Sequence, residues 1–326
     1  MGSCQSHDHH HDHHQHACAV PPQLQLAYYV AVLTLVDADV KPIIPLIKAH
    51  LSALQRNGVQ GVLVLGTNGE FPHLNVRQRQ QYLEVVVGQN MQLKTPLRMM
   101  AHIGASNLAD TLALQAHALE QPGVQELLLM PPFYYPATEL NGLADYVNTV
   151  LDRQPDDVPL FIYHFPKLSG VPITPDLLRA CPRLKGIKDS SGDITHVRQL
   201  RDEFPDLVIM AGTDYQLINC DEAGANGIIS GLANVVPHLL YQGLAQPSSD
   251  LENGLQALRT VAKSAPKPAV LKTILNVLGL ADCADTLPVL PVAPLPVSVA
   301  QTLLNDFNRQ LEALEDRGII PSLNAH

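Results

Sequence analysis

The sequence predicts an α/β fold, a (β/α)8 barrel of the TIM type with extra C-terminal helices. Between Tyr29 and Ser230, eight short aliphatic or β-branched runs alternate with longer stretches of helical periodicity. These runs are apolar on both faces, as parallel strands covered by helices must be. No strand is followed by GxGxxG, and GxxxxGK[ST] does not occur, so dinucleotide and P-loop folds lose their main support.

The strand candidates are Tyr29–Leu35, Gly61–Leu65, Leu97–His102, Gln125–Met130, Pro159–Tyr163, Leu184–Lys188, Leu207–Ala211 and Gly227–Ser230. Helix-start chemistry separates them. Asn75 precedes Val76–Gly88, Thr138 precedes Glu139–Leu151, and Thr174 supplies a cap just before Pro175. Asp193 opens an amphipathic stretch through Ile194, Val197 and Leu200. Four further helical patterns follow the eighth strand: Pro237–Leu244, Ser249–Ser264, Lys267–Leu278 and Val297–Arg317, with a proline-rich link over Leu287–Pro296. The organisation expected is a His-rich tail over residues 1–22, a barrel over 23–240 and a helical extension over 241–326.

The chain has 326 residues, 46% of them hydrophobic, enough for a barrel-sized core. With 31 acidic against 21 basic residues its net charge is −10, which disfavours nonspecific binding to nucleic acid or to an anionic membrane. No apolar run approaches a membrane span, and the N-terminal stretch lacks the apolar centre of a secretory signal. Cys4, Cys18, Cys181, Cys220 and Cys283 are scattered without paired spacing, which suits a reducing cytoplasm. The tail alternates His7, His9, His10, His11, His13, His14 and His16 with Asp8 and Asp12. It has no apolar face and reads as a disordered segment or a tag that binds metals loosely.

Polar residues collect just after the strands: Thr67-Asn68-Gly69-Glu70, Tyr134-Tyr135, Tyr163-His164, Lys188 and Asp214. In parallel α/β proteins that edge carries the active site. Lys188 ends the sixth strand. An amine held in apolar surroundings loses hydration of its charged form, which favours the neutral nucleophile needed for a Schiff base. Tyr163 lies one βα unit earlier, so adjacent strands bring a phenol within reach for proton transfer. The Thr67-Asn68-Gly69 turn offers successive N–H groups to a carboxylate. Glu70 reads as a residue fastening a neighbouring loop or helix, Asp189 as structural, and His164 as pointing to the opposite face from Tyr163. His102 could reach the mouth or fill it.

Over residues 27–320 the chain resembles the dihydrodipicolinate synthase/N-acetylneuraminate lyase superfamily of pyruvate-dependent class I aldolases. The resemblance rests on Gly66-Thr67-Asn68-Gly69-Glu70, Pro132-Phe133-Tyr134-Tyr135, Tyr163-His164-Phe165-Pro166 with Ser169-Gly170, Gly186-Ile187-Lys188-Asp189, and Gly227-Ile228-Ile229-Ser230 followed by Ala233-Asn234-Val235. It implies that Lys188 is the Schiff-base lysine, Tyr163 the proton shuttle, Thr67 and Asn68 the pyruvate carboxylate site, and Ile229 a wall of the pyruvate pocket. By the same resemblance Tyr134 completes a hydroxyl relay across a dimer interface, so a homodimer or homotetramer is expected.

Where dihydrodipicolinate synthases carry an arginine for the aldehyde's carboxylate, this chain has Leu168, with Lys167 beside it. The stretch Asn68-Gly69-Glu70-Phe71-Pro72 is similar to 4-hydroxy-2-oxoglutarate aldolases, and Leu168-Ser169-Gly170 to neuraminate lyases and sugar-acid aldolases. The reading is therefore a metal- and cofactor-independent lyase that splits a 4-hydroxy-2-oxo acid into pyruvate and a small aldehyde. Dihydrodipicolinate synthesis, 2-keto-3-deoxygluconate or N-acetylneuraminate cleavage and a non-catalytic 2-oxo acid sensor stand as alternatives. A class II aldolase finds no support, because the histidines outside the tail lack close ligand spacing.

Overall fold

The computed structural model describes residues 23–136 and 139–322. The His-rich tail and Thr138, the expected helix cap, lie outside the described residues. Eight parallel strands close in sequential order: β1 (Ala27–Ala31), β2 (Gly61–Val64), β3 (Arg98–His102), β4 (Glu126–Leu129), β5 (Leu160–His164), β6 (Gly186–Asp189), β7 (Val208–Ala211) and β8 (Gly227–Ser230). β1 pairs with β8 through Tyr29 opposite Ile229, which closes the barrel. The outer layer comprises α1 (Ile44–Arg56), α2 (Val76–Met91), α3 (Leu108–Glu120), α4 (Leu140–Leu151), the short α5 (Pro166–Ser169) and α6 (Pro175–Ala180), α7 (Ile194–Glu203), α8 (Leu217–Glu222) and α9 (Pro237–Ala245).

Local signals account for most boundaries. Asn75 and Gln78 form a reciprocal capping box at the start of α2. Thr174 accepts from the Leu177 amide before α6, and Asp193 accepts from Thr195 and His196 at the head of α7. The first strand departs from the expected Tyr29–Leu35. Its ladder ends at Ala31, and buried side chains take over the backbone groups beyond: the Leu33 amide donates to Asn234 Oδ1 at 3.1 Å and the Leu35 amide to the Tyr82 hydroxyl at 2.8 Å. An apolar buried run satisfied in this way cannot be told from a strand by its hydrophobic pattern.

After the barrel come α10 (Ser249–Ala262), α11 (Lys267–Leu278) and α12 (Val297–Asp316). They share the barrel's core, with Leu255, Leu258, Leu271 and Leu275 fully buried in the same apolar cluster. Two ion pairs tie α11 to the loops at the C-terminal ends of the strands. Lys272 Nζ lies 2.7 Å from Glu70 Oε2, and Lys267 Nζ lies 2.9 Å from Asp214 Oδ2. Glu70, expected to fasten a neighbouring element, also accepts from the Val289 amide at 2.8 Å. Among the described residues, no helix is long and apolar enough to cross a membrane.

Candidate active site

The register of β5 and β6 sets Tyr163 opposite Lys188 and His164 opposite Asp189. Side chains alternate along a strand, so the first pair faces the interior and the second faces the helices. Lys188 is 3% exposed, and its Nζ donates to the Tyr163 hydroxyl at 3.2 Å. Thr67 Oγ1 lies 3.1 Å from the same hydroxyl, giving a chain Thr67–Tyr163–Lys188 drawn from three strand ends. Burial alone would raise the Tyr163 phenol above its ordinary value. The Lys188 charge and hydrogen bonding with Thr67 and Ser190 outweigh burial and hold it below that value.

The turn carrying Thr67 and Asn68 is bounded by two residues with left-handed backbone, Leu65 (φ 61°) and Glu70 (φ 57°). A side chain larger than hydrogen in that conformation carries strain of about 1 kcal/mol or more, held here by burial and by the Glu70–Lys272 pair. Gly69 allows the turn to fold so tightly, since a Cβ there would approach Leu65 Cα to 2.9 Å. Gly231, after β8, has no Cβ to collide with the Asn68 amide and Lys267 Nζ. Asn68 therefore packs directly against the β8 loop.

These groups open on a cavity of about 460 Å³ that also receives Ala31, Phe165, Leu168, Ser190, Asp214 and Ile229. Thr67, Asn68, Tyr163, Lys188, Leu168 and Ile229, singled out from the sequence, all line it. Tyr134 does not. It sits on the protein surface, 77% exposed, with its ring edge-on to Tyr135 at 5.0 Å. A groove of similar volume, about 470 Å³, runs between Phe71, Asn75, Arg79 and Phe133, but the Thr67–Tyr163–Lys188 chain is not part of it. Volume alone would not choose between the two; the chemistry of the lining does.

His102 fills the mouth of the barrel instead of serving it. Its Nδ1 donates to the Leu65 carbonyl at 3.1 Å and its Nε2 accepts from the Met130 amide at 3.3 Å, while its ring packs against Phe71. Burial, then the neighbouring Arg79 and Lys188 charges, hold its pKa well below the ordinary value, so it stays neutral. His164 and Asp189 face outward as expected. There they gather with His196, ligand-type atoms of all three lying within 4.8 Å of one another. The sequence gives no hint of this cluster, because its members come from two strands and a helix. His164 Nδ1 is occupied by the Ile173 amide, and Asp189 takes His196 Nδ1 at 2.6 Å.

Of the basic side of the cavity, the sequence reading named only Lys167. Beside Leu168 stand Lys167, Arg259, Lys263 and Lys267. The last three recur at intervals of four residues, but α10 ends at Ala262 and α11 begins at Lys267, so no single helix face carries them. Asp214 answers part of this charge. Its Oδ1 accepts from Ser230 Oγ and the Gly231 and Leu232 amides, and its Oδ2 meets Lys267. Burial opposes ionisation, but Lys267 and these donors hold the carboxyl well below the usual carboxylate range.

The sequence pattern of the dihydrodipicolinate synthetase family matches residues 38–307. The chain belongs to that family. It is 32% identical over 259 residues to an uncharacterised DapA-like lyase of Chloroflexus aurantiacus, covering 76% of this chain and 84% of the relative. It is 31% identical over 194 residues to an N-acetylneuraminate lyase of Shigella boydii, covering 59% and 63%. The N-acetylneuraminate lyase structure of Proteus mirabilis superposes with a TM-score of 0.77 at 25% identity, covering 88% of this chain and 99% of that one. A Sulfolobus 2-keto-3-deoxygluconate aldolase shares the fold, with a TM-score of 0.80 at 18% identity over 91% and 100% of the two chains. As a member of this family the protein is a carbon–carbon lyase of the class I pyruvate aldolase type.

Proposed function

We propose that the protein cleaves a 4-hydroxy-2-oxo acid reversibly into pyruvate and a small aldehyde, through an imine at Lys188. The observation that carries this reading is the buried Lys188–Tyr163 contact of 3.2 Å opening on a cavity also lined by Thr67, Asn68 and Ile229. In the reaction, the Lys188 amine adds to the substrate's C2 carbonyl, and loss of water gives the imine. The Tyr163 phenol gives its proton to the departing hydroxyl, which leaves a protonated imine and a phenolate; the phenolate takes the C4 hydroxyl proton, the C3–C4 bond breaks with release of the aldehyde, and the bond's electron pair forms the C2–C3 double bond of the enamine. The phenol then protonates C3, and water releases pyruvate from Lys188. The lowered Tyr163 pKa suits a group that must both take and return a proton.

Thr67 polarises the phenol, and the Thr67-Asn68 turn holds the substrate carboxylate beside the imine, with Ile229 walling the methyl side. Tyr134, exposed on its own chain, acts in the site of a second copy of this chain, so the working unit is at least a dimer. Mixing inactive Tyr134→Phe and Lys188→Ala proteins is expected to restore activity as subunits exchange; no recovery despite proven exchange would remove Tyr134 from the chemistry.

A dihydrodipicolinate synthase remains the second reading, favoured by the basic side chains near Leu168, which suit an aldehyde carrying a carboxylate. The deciding experiment is a steady-state comparison. Cleavage of 4-hydroxy-2-oxoglutarate, 2-keto-3-deoxygluconate and N-acetylneuraminate is set against condensation of pyruvate with aspartate semialdehyde. The proposal expects the highest kcat/KM for one of the cleavages; a higher value for the condensation would replace it with the second reading.

A further inference from the structure

The cavity that holds Lys188 is far more basic than one carboxylate requires. Besides Lys188 itself it is lined by Lys167, Arg259, Lys263 and Lys267, and among the described residues Asp214 is its single acidic side chain. Asp214 is already saturated: Ser230, two amides and Lys267 occupy it, and Arg259 Nε stands 3.6 Å away. Arg259 is further fixed by stacking over the Tyr215 ring at 5.3 Å. Lys167 and Lys263 have no carboxylate within ion-pairing distance among the described residues. Their charges also bear on each other, since burial and then the neighbouring Arg259, Lys267 and Lys167 charges lower the Lys263 pKa, with Asp214 offsetting only part of that shift. Cations gathered around a concave site without a counter-charge raise the local concentration of anions and reward a ligand that supplies the missing charge.

We infer that Lys167, Arg259 and Lys263 form a second anion subsite, so that the substrate carries a carboxylate or a phosphate ester on its aldehyde-derived end as well as the 2-oxo acid carboxylate. This inference rests on the proposed imine at Lys188, which places the first carboxylate at Thr67 and Asn68 and leaves the basic side of the same cavity to the rest of the chain. It also gives Leu168 a different meaning. The charge expected at that position comes instead from its neighbour Lys167 and from α10 and the turn that follows it, elements far away in sequence. The shared chemistry is a dianionic 4-hydroxy-2-oxo acid, and its two sources differ in the geometry of the second anion.

The test compares kcat/KM for three substrates: 4-hydroxy-2-oxoglutarate (second carboxylate), 6-phosphorylated 2-keto-3-deoxygluconate (phosphate) and unphosphorylated 2-keto-3-deoxygluconate (uncharged tail). Wild type is expected to favour one of the dianions, and which one identifies the source. Lys263→Ala is expected to lower the ratio of that dianion to the uncharged-tail substrate by about tenfold, the usual scale for losing one charged hydrogen-bond partner. Lys263→Glu should lower it further, Lys263→Arg should keep it, and added salt should erode it. A ratio that is the same in wild type, Lys263→Ala and Lys263→Glu would mean that these lysines are solvated surface charges, and the subsite would be withdrawn. Labelling of Lys188 by pyruvate and borohydride is measured in the same preparations, so that loss of the imine reading shows itself separately as absent label.

Discussion

Among the described residues two lysines are buried, and their neighbourhoods differ. Lys272, on α11, is fully buried; its Nζ sits 2.7 Å from a Glu70 carboxylate oxygen and donates to the Leu287 carbonyl at 2.7 Å. Burial lowers its pKa and Glu70 offsets part of that shift. Lys188, on β6, is buried nearly as deeply but has a phenol in place of a carboxylate and a cavity in front of it. A lysine held between a carboxylate and a carbonyl, with no cavity before it, has no room for a substrate. On the proposed reading, a lysine beside a phenol has a partner that can exchange protons with it and an open face for a carbonyl carbon. Burial by itself therefore does not tell the two lysines apart; the partner and the access do.

Removing one partner from each pair separates the two proposed roles. Tyr163→Phe is expected to slow turnover about 10²- to 10⁴-fold, the range for losing a positioned proton-transfer group, while the protein stays folded and still forms some imine. Single-turnover rates on purified variant check this, and unchanged turnover would clear Tyr163 of proton transfer. Lys272→Met acts on stability instead. It leaves the Glu70 carboxylate buried without a counter-charge, expected to cost about 3–5 kcal/mol in denaturant unfolding. Adding Glu70→Gln to that variant should recover much of the loss. A single variant as stable as wild type would show that the pair does not hold the Thr67 turn to the C-terminal helices.

Much of this arrangement can be read along the chain. Strand-length apolar runs, helix caps and polar residues at strand ends identify the barrel and bring Thr67, Asn68, Tyr163 and Lys188 to one edge, because strand order and side-chain alternation convert sequence position into direction, while Ile229 is reached only through the family resemblance. What escapes depends on contacts between distant segments. Nothing near Glu70 shows that Lys272 will neutralise it, and nothing near Leu168 shows that Arg259 and Lys263 will stand beside it. The end of β1 escapes for the same reason, since Asn234 and Tyr82 are the residues that take over its backbone amides.

Trapping with pyruvate and borohydride tests the central claim most directly, because both buried lysines are present in every molecule and report on each other. Peptide mass mapping of the folded, reduced protein is expected to find one added pyruvyl group, on Lys188, with Lys272 unmodified. Label on Lys272 or another lysine in place of Lys188, or no label on folded protein, would contradict the account.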